Sequence, residues 1–450
     1  MISTFAHLVL LLIAALWVYS RDVRKQVELT LAFAEQIGQQ LVDDSVQIPV
    51  ENPDDQDDEA PIETPAPEVE SPQAAPPPKA IAPETKAFRT EEIVLPEIGN
   101  ALEGRESGSR KGMLGRYGGN ATTQAAVDDA LKWLARQQRR KGSWSLIGPY
   151  RDAGTDENEV AATAMAMLAF QGAGHTHTSG DYVRLMGKAR AWLIASQDSE
   201  GSFWKGSGVR NHALYTHALA TMAICELYGM THDEKLKLPA QKALDYAVAI
   251  QSDAGGWRYE PGLDSDTSVT GWFVMALQSG RMAGLHVPSQ TLLKVHEFLD
   301  SVQHEDGARY SYTPYEQATD SMSAEGLLCR QYLGWHRDDE RLQRGIQSLL
   351  DNPISDERNQ MNAYYWYYAT QVLHHVEGEA WDEWNAVMRQ KIPSMQVRDG
   401  KEAGSWDPQD HPYGMHAGRL FITCLNTYML EVYYRHLPLY RSVHAAREGT

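Results

Sequence analysis

Residues 251–257 read QSDAGGW, and they form a turn that the chain repeats at a nearly constant spacing. The turn recurs as QRRKGSW at 138–144, QDSEGSF at 197–203 and QHEDGAR at 303–309. In each copy the glycine follows the glutamine by four positions and the last residue follows by six. A late GSW at 404–406 is displaced by an insertion. Such a repeat predicts an array of similar units rather than unrelated domains.

Helical segments flank each turn. The segment before it mixes charged and apolar residues, as in ALDYAVAIQ (243–251), whereas the segment after it is small and apolar on most faces, as in SVTGWFVMALQSG (268–280). The first pattern is typical of an outer, half-solvated helix and the second of a helix packed on several sides. A fifth unit at 341–353 has lost its glycine. We therefore predict one all-α domain over residues 120–440, an α6/α6 barrel (toroid) of six helical hairpins.

These turns and helices resemble the QW repeat of squalene and hopene cyclases and the related repeat of protein prenyltransferase β subunits. The resemblance extends from about residue 124 to residue 440 and implies a single-domain member of that superfamily, with an α/α toroid fold. Other α6/α6 barrels, such as glycan-active enzymes and thioester domains, are the alternative. Cyclases of the squalene type have two barrels, whereas this chain has length for one.

The stretch LDSDTSV (263–269) lies where the resemblance places the Asp-x-Asp-Asp acid motif of class II terpene cyclases. Asp264 and Asp266 match the first and third positions of that motif, and Thr267 stands where its last Asp would be. A proton donor of this kind needs a carboxyl held protonated beside others that share the negative charge. We take Asp266 as the candidate acid and Asp264 as its partner. The alternative is that Asp266 caps a helix and Asp264 is solvated.

Protein prenyltransferases hold zinc with an Asp, a Cys and a His, and the resemblance places Ser268 and Ile422 where the Cys and His would stand. Zinc needs three or four N, S or O ligands. We therefore expect no metal, no cofactor and no protein prenylation. The pairs His374 with His375 and His411 with His416 are interpreted as surface or helix-end residues.

In such a barrel the N-terminal ends of the inner helices converge on one face, where their positive dipole ends meet. The candidate ligand-binding residues at this face are His212, Tyr215, Trp257, Trp272, Asp320, Tyr364, His416 and Arg419. We expect them to bind, and with Asp266 to convert by acid catalysis, an apolar isoprenoid-like ligand. The competing hypothesis is a non-catalytic scaffold that presents this face to a protein or glycan at the cell envelope. A protein partner could also complete the barrel mouth.

The N-terminal residues predict a membrane anchor. Residues 5–18 (FAHLVLLLIAALWV) are nearly all apolar, and basic residues follow rather than precede them. Residues 1–20 are thus predicted to form a single-pass anchor, with a cleaved signal peptide or a buried soluble helix as alternatives. An amphipathic helix is expected over residues 21–48. The side of the membrane on which the toroid lies is undecided.

Residues 49–119 are predicted to form a disordered linker, because proline and like charges dominate much of this stretch. Residues 441–450 are treated as a tail. The formal net charge of -19 excludes nucleic acid as a partner, since phosphate binding needs clustered Lys and Arg. Cys225, Cys329 and Cys424 lie far apart in apolar runs and are expected to be buried free thiols.

Overall fold

The computed structural model describes residues 102–204 and 209–440. The predicted anchor (1–20), the amphipathic helix (21–48), most of the predicted linker and the tail (441–450) lie outside these residues. Within the described ranges, no helix has the length and apolar character that crossing a bilayer requires.

The described residues form thirteen α-helices. They are α1 (Ser107–Arg116), α2 (Ala121–Gln137), α3 (Glu159–Gly172), α4 (Val183–Ser196), α5 (Ala213–Thr231), α6 (Glu234–Ala249), α7 (Thr267–Met282), α8 (Ser289–Ser301), α9 (Asp320–Tyr332), α10 (Glu340–Leu350), α11 (Ala363–Val376), α12 (Gly378–Ser394) and α13 (Gly414–Arg435). Short 3-10 helices occupy Glu103–Arg105, Arg210–His212, Glu305–Gly307 and Arg358–Gln360.

Twelve of these helices form two concentric rings. Helices α3, α5, α7, α9, α11 and α13 each contact the next, and α13 contacts α3, so the inner ring closes. The outer helices alternate with them along the chain, and α12 contacts α2 where the outer ring closes. The predicted α6/α6 barrel of six hairpins is therefore the architecture of the described chain.

The inner and outer helices differ as their sequences predict. Helix α3 is buried continuously from Ala161 to Gly172, which small side chains permit when neighbours pack on every side. Helix α10 instead buries one stripe, with Leu342, Ile346 and Leu349 facing inward. The helices of the inner ring pack side by side, so their ends meet at the two ends of the barrel. The loops that precede the inner helices all lie at one of these two ends.

The repeated glutamine has a structural role. The side-chain amide of Gln251 donates to the carbonyl of Gly255 (2.7 Å) and to that of Thr291 in the next outer helix, α8 (2.9 Å). Gly255 has φ +97°, and a Cβ there would lie 2.1 Å from the carbonyl oxygen of Lys294. Corresponding pairs of bonds are made by Gln138, Gln197 and Gln396. Each glutamine thus ties its own turn to the neighbouring outer helix.

The aromatic residue of the turn joins the two rings. The indole N–H of Trp257 donates to the carbonyl of Ala247 on α6 (2.9 Å), and its backbone N–H donates to the hydroxyl of Thr270 on α7 (3.0 Å). Trp144 and Trp406 make the same two kinds of bond with their own outer and inner helices. The turn therefore joins an outer helix to the inner helix that follows it, and we call this set of contacts the joint. The sequence repeats because the joint is repeated.

The fold is not purely helical, which corrects the all-α prediction in one place. A small antiparallel sheet lies between α8 and α9, with strands β1 (Gln303–His304), β2 (Arg309–Ser311) and β3 (Ala318–Thr319) in the order β1-β2-β3. Arg309 stands where the other copies carry an aromatic residue. The neighbouring Tyr310 donates its backbone N–H to the Ser323 hydroxyl of α9 instead (3.1 Å), so the joint is shifted by one residue.

The folded body also begins earlier than the predicted boundary at residue 120. Arg105 is fully buried, and its guanidinium contacts Glu226 (2.6 Å) and donates to the carbonyl of Arg435 (3.0 Å). A Cβ at Gly104 would lie 2.6 Å from the carbonyl oxygen of Tyr434. The segment that precedes α2 is therefore packed against the C-terminal ends of α5 and α13. As predicted, the three cysteines are free and buried.

Candidate ligand site

A cavity of about 150 Å³ opens between the N-terminal ends of the inner helices. Its apolar wall consists of Leu146, Ala161, Met165, Leu219, Trp272, Met322, Ala417 and Phe421. Its polar groups come from Asn158, His212, Tyr215, Ser268, Tyr312, Thr319, Ser321, Tyr364 and Tyr413. An apolar protein cavity of about this size accommodates benzene. The cavity therefore has room for one ring or one isoprene unit, and a longer ligand would extend into the mouth.

Four inner helices begin with the same device. The side chains of Asn158, Asp266, Thr319 and Asn362 each accept a hydrogen bond from the backbone N–H three residues later. Such caps satisfy donors that a helix otherwise leaves without partners. Asp266 is the acidic member of this set. Helix capping therefore accounts for an oxygen-bearing side chain at this position, but it does not account for a carboxylate.

Asp266 lies in an enclosed polar environment. Its side chain is 0% exposed and accepts hydrogen bonds from the backbone N–H of Val269 (2.7 Å) and the hydroxyl of Tyr312 (2.8 Å). The guanidinium of Arg258 lies 3.5 Å away. Burial raises the pKa of Asp266 to about 7, and the two hydrogen bonds and Arg258 oppose this shift only in part. Tyr312 lines the cavity, so the carboxyl reaches the cavity through this phenol.

Asp264 does not lie beside the cavity. Its side chain is 53% exposed and pairs with Arg258 at 2.6 Å. Arg258 therefore lies between the two carboxylates and contacts both of them. Asp264 and Asp266 were predicted to share a negative charge, but in the structure they share a cation instead. The reason is the course of the loop, which turns Asp264 outward while Asp266 caps α7.

A row of hydroxyl groups crosses the cavity wall and ends at a second buried carboxyl. Tyr215 donates to Ser268 (2.9 Å), Ser268 contacts the hydroxyl of Tyr364 (2.7 Å), and Tyr364 donates to Glu325 (3.0 Å). Glu325 is fully buried in α9. Burial raises its pKa well above the ordinary value, and the hydrogen bond from Tyr364 opposes this only in part. Burial therefore favours the protonated form of Glu325, which ends the row as the acceptor of the Tyr364 hydroxyl.

Helix α7 leaves space for this carboxyl. A Cβ at Gly271 would lie 2.1 Å from Oε1 of Glu325 and 2.6 Å from its Cδ. Oε1 has no hydrogen-bond partner among the described residues. Glycine at this position of a helix lowers helix propensity by about 1 kcal/mol relative to alanine. The close approach of Glu325 to the backbone of α7 accounts for that glycine.

Four of the predicted ligand-binding residues line the cavity, namely His212, Tyr215, Trp272 and Tyr364. The indole of Trp272 stacks on Tyr367 (16° between the ring planes), which fixes its orientation in the wall. Burial lowers the pKa of His212, so its imidazole is neutral at pH 7. Four of the eight predicted ligand-binding residues therefore lie in the wall of this cavity.

The other predicted residues lie outside this lining, each for a visible reason. Trp257 is the buried joint between α6 and α7 described above. Asp320 is turned toward Arg309 (2.9 Å) on β2. Arg419 is 2% exposed and contacts Asp152 (2.5 Å). His416 lies close to the hydroxyl of Thr155 (3.4 Å).

The histidine pairs agree with the prediction in part, because His374 and His375 lie at a helix end but none of His374, His375 and His411 is at the surface. His374 and His375 are buried in the last turn of α11, and His411 is buried as well. Burial lowers the pKa of His375 to about 3 and that of His411 to about 4. Among the described residues, no group of three or more His, Cys, Asp or Glu side chains is arranged to hold a metal ion.

Ser268 and Glu325 were missed as functional candidates from the sequence, and so was the role of Tyr312 as the hydrogen-bond partner of Asp266. Tyr312 belongs to the loop before α9, and its approach to Asp266 depends on the β2 turn. Glu325 did leave a signal, because it is a lone acid in the otherwise small and apolar run SMSAEGLL of an inner helix. A charged residue at such a position is seldom buried without a partner.

A comparison with protein-family models finds no match for this chain, and no curated protein is similar to it at a significant level. Among solved structures, a type II terpene cyclase from Scytonema in complex with geranylgeranyl dihydroxybenzoate is 11% identical (TM-score 0.49), covering 70% of this chain and 98% of that one. An α-1,6-mannanase of Salegentibacter is 10% identical (TM-score 0.48), covering 70% and 99%. An α-amylase from Clostridium perfringens is 9% identical (TM-score 0.49), covering 69% and 97%. The fold assignment rests on the helix contacts described above.

Proposed function

We propose that this protein binds an apolar, isoprenoid-like ligand with one polar end in the cavity of its α/α barrel, as a single-domain member of the terpene cyclase and prenyltransferase superfamily. The observation that carries the proposal is the combination of an apolar wall with the hydroxyl row Tyr215, Ser268 and Tyr364. Pockets for small molecules have this composition, because apolar contacts supply affinity and a few polar groups fix orientation.

The size of the cavity defines the ligand further. A volume of about 150 Å³ holds one isoprene unit or one ring, so the polar end of the ligand binds inside and the rest of its chain lies toward the mouth. An alcohol suits the hydroxyl row, since it can both donate to and accept from Ser268 and Tyr215.

The test is calorimetric titration of the full chain with 3-methyl-2-buten-1-ol and with the matched hydrocarbon 2-methyl-2-butene. We expect the alcohol to bind more tightly. Replacing Tyr215 by Phe should weaken only the alcohol, by about fivefold, because a neutral hydrogen bond contributes about 1 kcal/mol. Leu219→Trp, which fills the cavity, should abolish binding of both.

Failure of both compounds to bind the wild-type chain, or equal binding by Leu219→Trp, would overturn the proposal. That result would favour the competing hypothesis of a scaffold that presents this face to a protein or glycan. Circular dichroism of each variant serves as the control for folding.

Two buried carboxyls favour a second candidate function, acid-catalysed conversion of the bound ligand. In this reaction protonated Asp266 donates to the Tyr312 oxygen, the reverse of the bond that its carboxylate accepts. Tyr312 then passes its hydroxyl proton to an oxygen of the ligand and takes the proton of Asp266, whose carboxylate is left beside Arg258. An acid with a pKa of about 7 is weak, so an epoxide or carbonyl oxygen is a more suitable acceptor than an alkene. Asp264 has no part in this step.

Incubation with an epoxide of geraniol tests this second function. We expect the wild-type chain to open the epoxide and Asp266→Asn to lose that activity while still binding geraniol. Equal turnover by wild type and Asp266→Asn would contradict the role of Asp266. Glu325→Gln leaves Asp266 and Tyr312 in place, so its turnover of the epoxide distinguishes the contribution of Glu325 from that of Asp266.

A further inference from the structure

A second cavity lies at the opposite end of the barrel from the site described above. It has a volume of about 700 Å³ and lies between the C-terminal ends of α3, α5 and α7, the loop that follows α3 and the segment that contains Arg105 and Arg110. Small-molecule pockets typically have volumes of about 300–1,000 Å³. We call this cavity, whose wall includes Arg105, Arg110, His175 and Met230, the lower groove.

Arg105 lies in the inner wall of the lower groove and has one nitrogen without a partner. Its Nε donates to the carbonyl of Arg435 (3.0 Å), and its Nη1 donates to Glu226 (2.6 Å). Its side chain is 0% exposed, and its Nη2 has no hydrogen-bond partner among the described residues. A buried donor left in this way costs free energy that an acceptor would recover. Arg105 therefore has one hydrogen bond to offer to a ligand.

The charges behind this wall favour an anionic ligand. Arg105 and Arg435 both contact Glu226, and Arg435 also contacts Glu431 (3.0 Å). Burial raises the pKa of Glu431 to about 8, and Arg435 and Arg105 oppose this shift only in part. At pH 7 most of Glu431 is then neutral, so two guanidinium groups share one carboxylate. Because an uncompensated buried charge is costly, this group of residues stabilises an anion in the groove.

Other polar groups of the wall suit a single negative charge. The Nδ1 of His175 accepts the backbone N–H of Asp181 (3.3 Å), so the proton of the neutral imidazole lies on Nε2 and can be donated. Arg110 is held beside the groove by its hydrogen bond to the carbonyl of Ala173. Glu106 and Asp181, which are exposed, also line the groove. Their carboxylates disfavour a dianion such as phosphate, and a carboxylate is the better match.

Met230 lies between such a ligand and Arg105. Its sulfur is 3.8 Å from Nη1 of Arg105, and its side chain is half-buried in the groove wall. Methionine is unbranched and has three rotatable side-chain bonds, so a ligand can displace it. Leu102 and Met282 also line the groove and offer apolar surface to an aliphatic chain.

We propose that the lower groove binds a small aliphatic carboxylate. The carboxylate accepts a hydrogen bond from Nη2 of Arg105 once Met230 has moved aside, and Arg110 and His175 are further donors in the wall. The aliphatic chain packs on Leu102 and Met282. This site is separate from the cavity at the barrel mouth, and the inference does not depend on the function proposed for that cavity.

Calorimetric titration of the full chain with sodium hexanoate and with hexanamide, its neutral counterpart, tests the requirement for charge. We expect hexanoate to bind at least about tenfold more tightly, because hydrogen bonds to charged groups are the stronger ones. Leu219→Trp, which fills the cavity at the mouth, should leave the affinity for hexanoate unchanged. The proposal is overturned if the wild-type chain does not bind hexanoate, if it binds hexanamide equally well, or if Leu219→Trp abolishes binding.

A matched pair of substitutions at Met230 locates the site without removing Arg105. Met230→Glu places a carboxylate within reach of the Arg105 guanidinium and should abolish binding of hexanoate. Met230→Gln has nearly the same shape without the charge and should retain binding. Urea unfolding of both variants is the control for folding. Equal affinity of the two folded variants for hexanoate would show that the ligand does not reach Arg105.

Discussion

At the scale of single residues, Asp266 combines two roles that the sequence left as alternatives. It caps α7 as Asn158, Thr319 and Asn362 cap their own helices, and it is also a buried acid in contact with a phenol of the cavity wall. A cap alone is served by Asn, Asp, Ser or Thr. The carboxyl adds a proton that titrates near neutral pH, and this distinguishes Asp266 from the other three caps.

Asp266 should make stability depend on pH. Its pKa is raised from 3.8 to about 7, so between these values the folded chain holds a proton that the unfolded chain has released. The stabilising contribution is fully present below about pH 4 and is lost as pH rises through about 7, with a slope of at most about 1.4 kcal/mol per pH unit. Asp266→Asn keeps a capping oxygen and should remove this decline.

Urea unfolding from pH 4 to pH 8 measures the free energy of unfolding of wild type and of Asp266→Asn. The difference between the two chains at each pH cancels the contributions of the other titrating groups. Parallel profiles of the free energy of unfolding would show that Asp266 ionises in the folded chain as it does in the unfolded one.

Gly271 and Glu325 should be energetically coupled. In the wild-type chain Gly271→Ala drives a methyl group into the Glu325 carboxyl and should destabilise the fold by about 1–3 kcal/mol through overpacking. In the Glu325→Ala background the same change meets open space and should stabilise the fold by up to about 1 kcal/mol, the gain in helix propensity.

A double-mutant cycle in urea measures this coupling. The control is Glu325→Ala alone, which should destabilise the chain because it removes the hydrogen bond from Tyr364 and leaves a cavity in the core. If Gly271→Ala changes the free energy of unfolding in the same direction in the wild-type and Glu325→Ala chains, the close approach of Glu325 is not the reason for glycine at position 271.

At the scale of elements, the repeated turn explains why the barrel was predictable. Gln251, Gly255 and Trp257 each have a visible function in joining an outer helix to its neighbours. Because the same joint is needed several times, its residues recur with fixed spacing, and the spacing can be read without the structure. The fourth copy departs from the pattern at Arg309, and the fold departs there as well.

Removal of a repeated glutamine should have a measurable cost. Gln251→Ala leaves the carbonyls of Gly255 and Thr291 without this donor, and we expect a loss of about 1–2 kcal/mol in the free energy of unfolding. Gln303→Ala is the matched control, since among the described residues Gln303 does not make the corresponding pair of bonds, and it should cost no more than about 0.5 kcal/mol. Equal losses in the two variants would contradict this role.

The site was predicted less completely than the fold, for a physical reason. His212, Tyr215, Trp272 and Tyr364 follow from the position of the inner helix ends, which the repeat fixes. Asp320 and Arg419 stand at similar positions in the sequence, but Arg309 and Asp152 draw them away from the cavity. These ion pairs join residues from different loops, and a periodic sequence pattern does not predict which partner a charged side chain contacts.

At the scale of the whole molecule, the barrel has two distinct ends. The mouth contains the cavity at the N-terminal ends of the inner helices. The opposite end is closed by a buried group of charges in which Arg105 and Arg435 both contact Glu226, and Arg435 also contacts Glu431 (3.0 Å). Breaking a buried pair by removing one partner costs about 3–5 kcal/mol. The segment that carries Arg105 is therefore part of the folded domain.

The position of the domain boundary can be tested by truncation. A chain that begins at residue 102 should unfold with the same free energy as the full chain, whereas a chain that begins at residue 120 should lose several kcal/mol because Glu226 loses Arg105. Glu226→Gln in both truncated chains is the control. It removes the charge that Arg105 compensates, so the two truncated chains should then differ less in their free energy of unfolding. Equal stability of the two truncated chains would restore the boundary at residue 120.

The central claim is that the cavity holds the polar end of an isoprenoid-like ligand, and a crystal structure of the chain with geraniol tests it most directly. The account predicts electron density for the alcohol between Trp272 and Phe421, with its oxygen within hydrogen-bond distance of Ser268 or Tyr215 and its chain directed toward the barrel mouth. Density for ordered water alone in the cavity, at a geraniol concentration that saturates binding in solution, would contradict it.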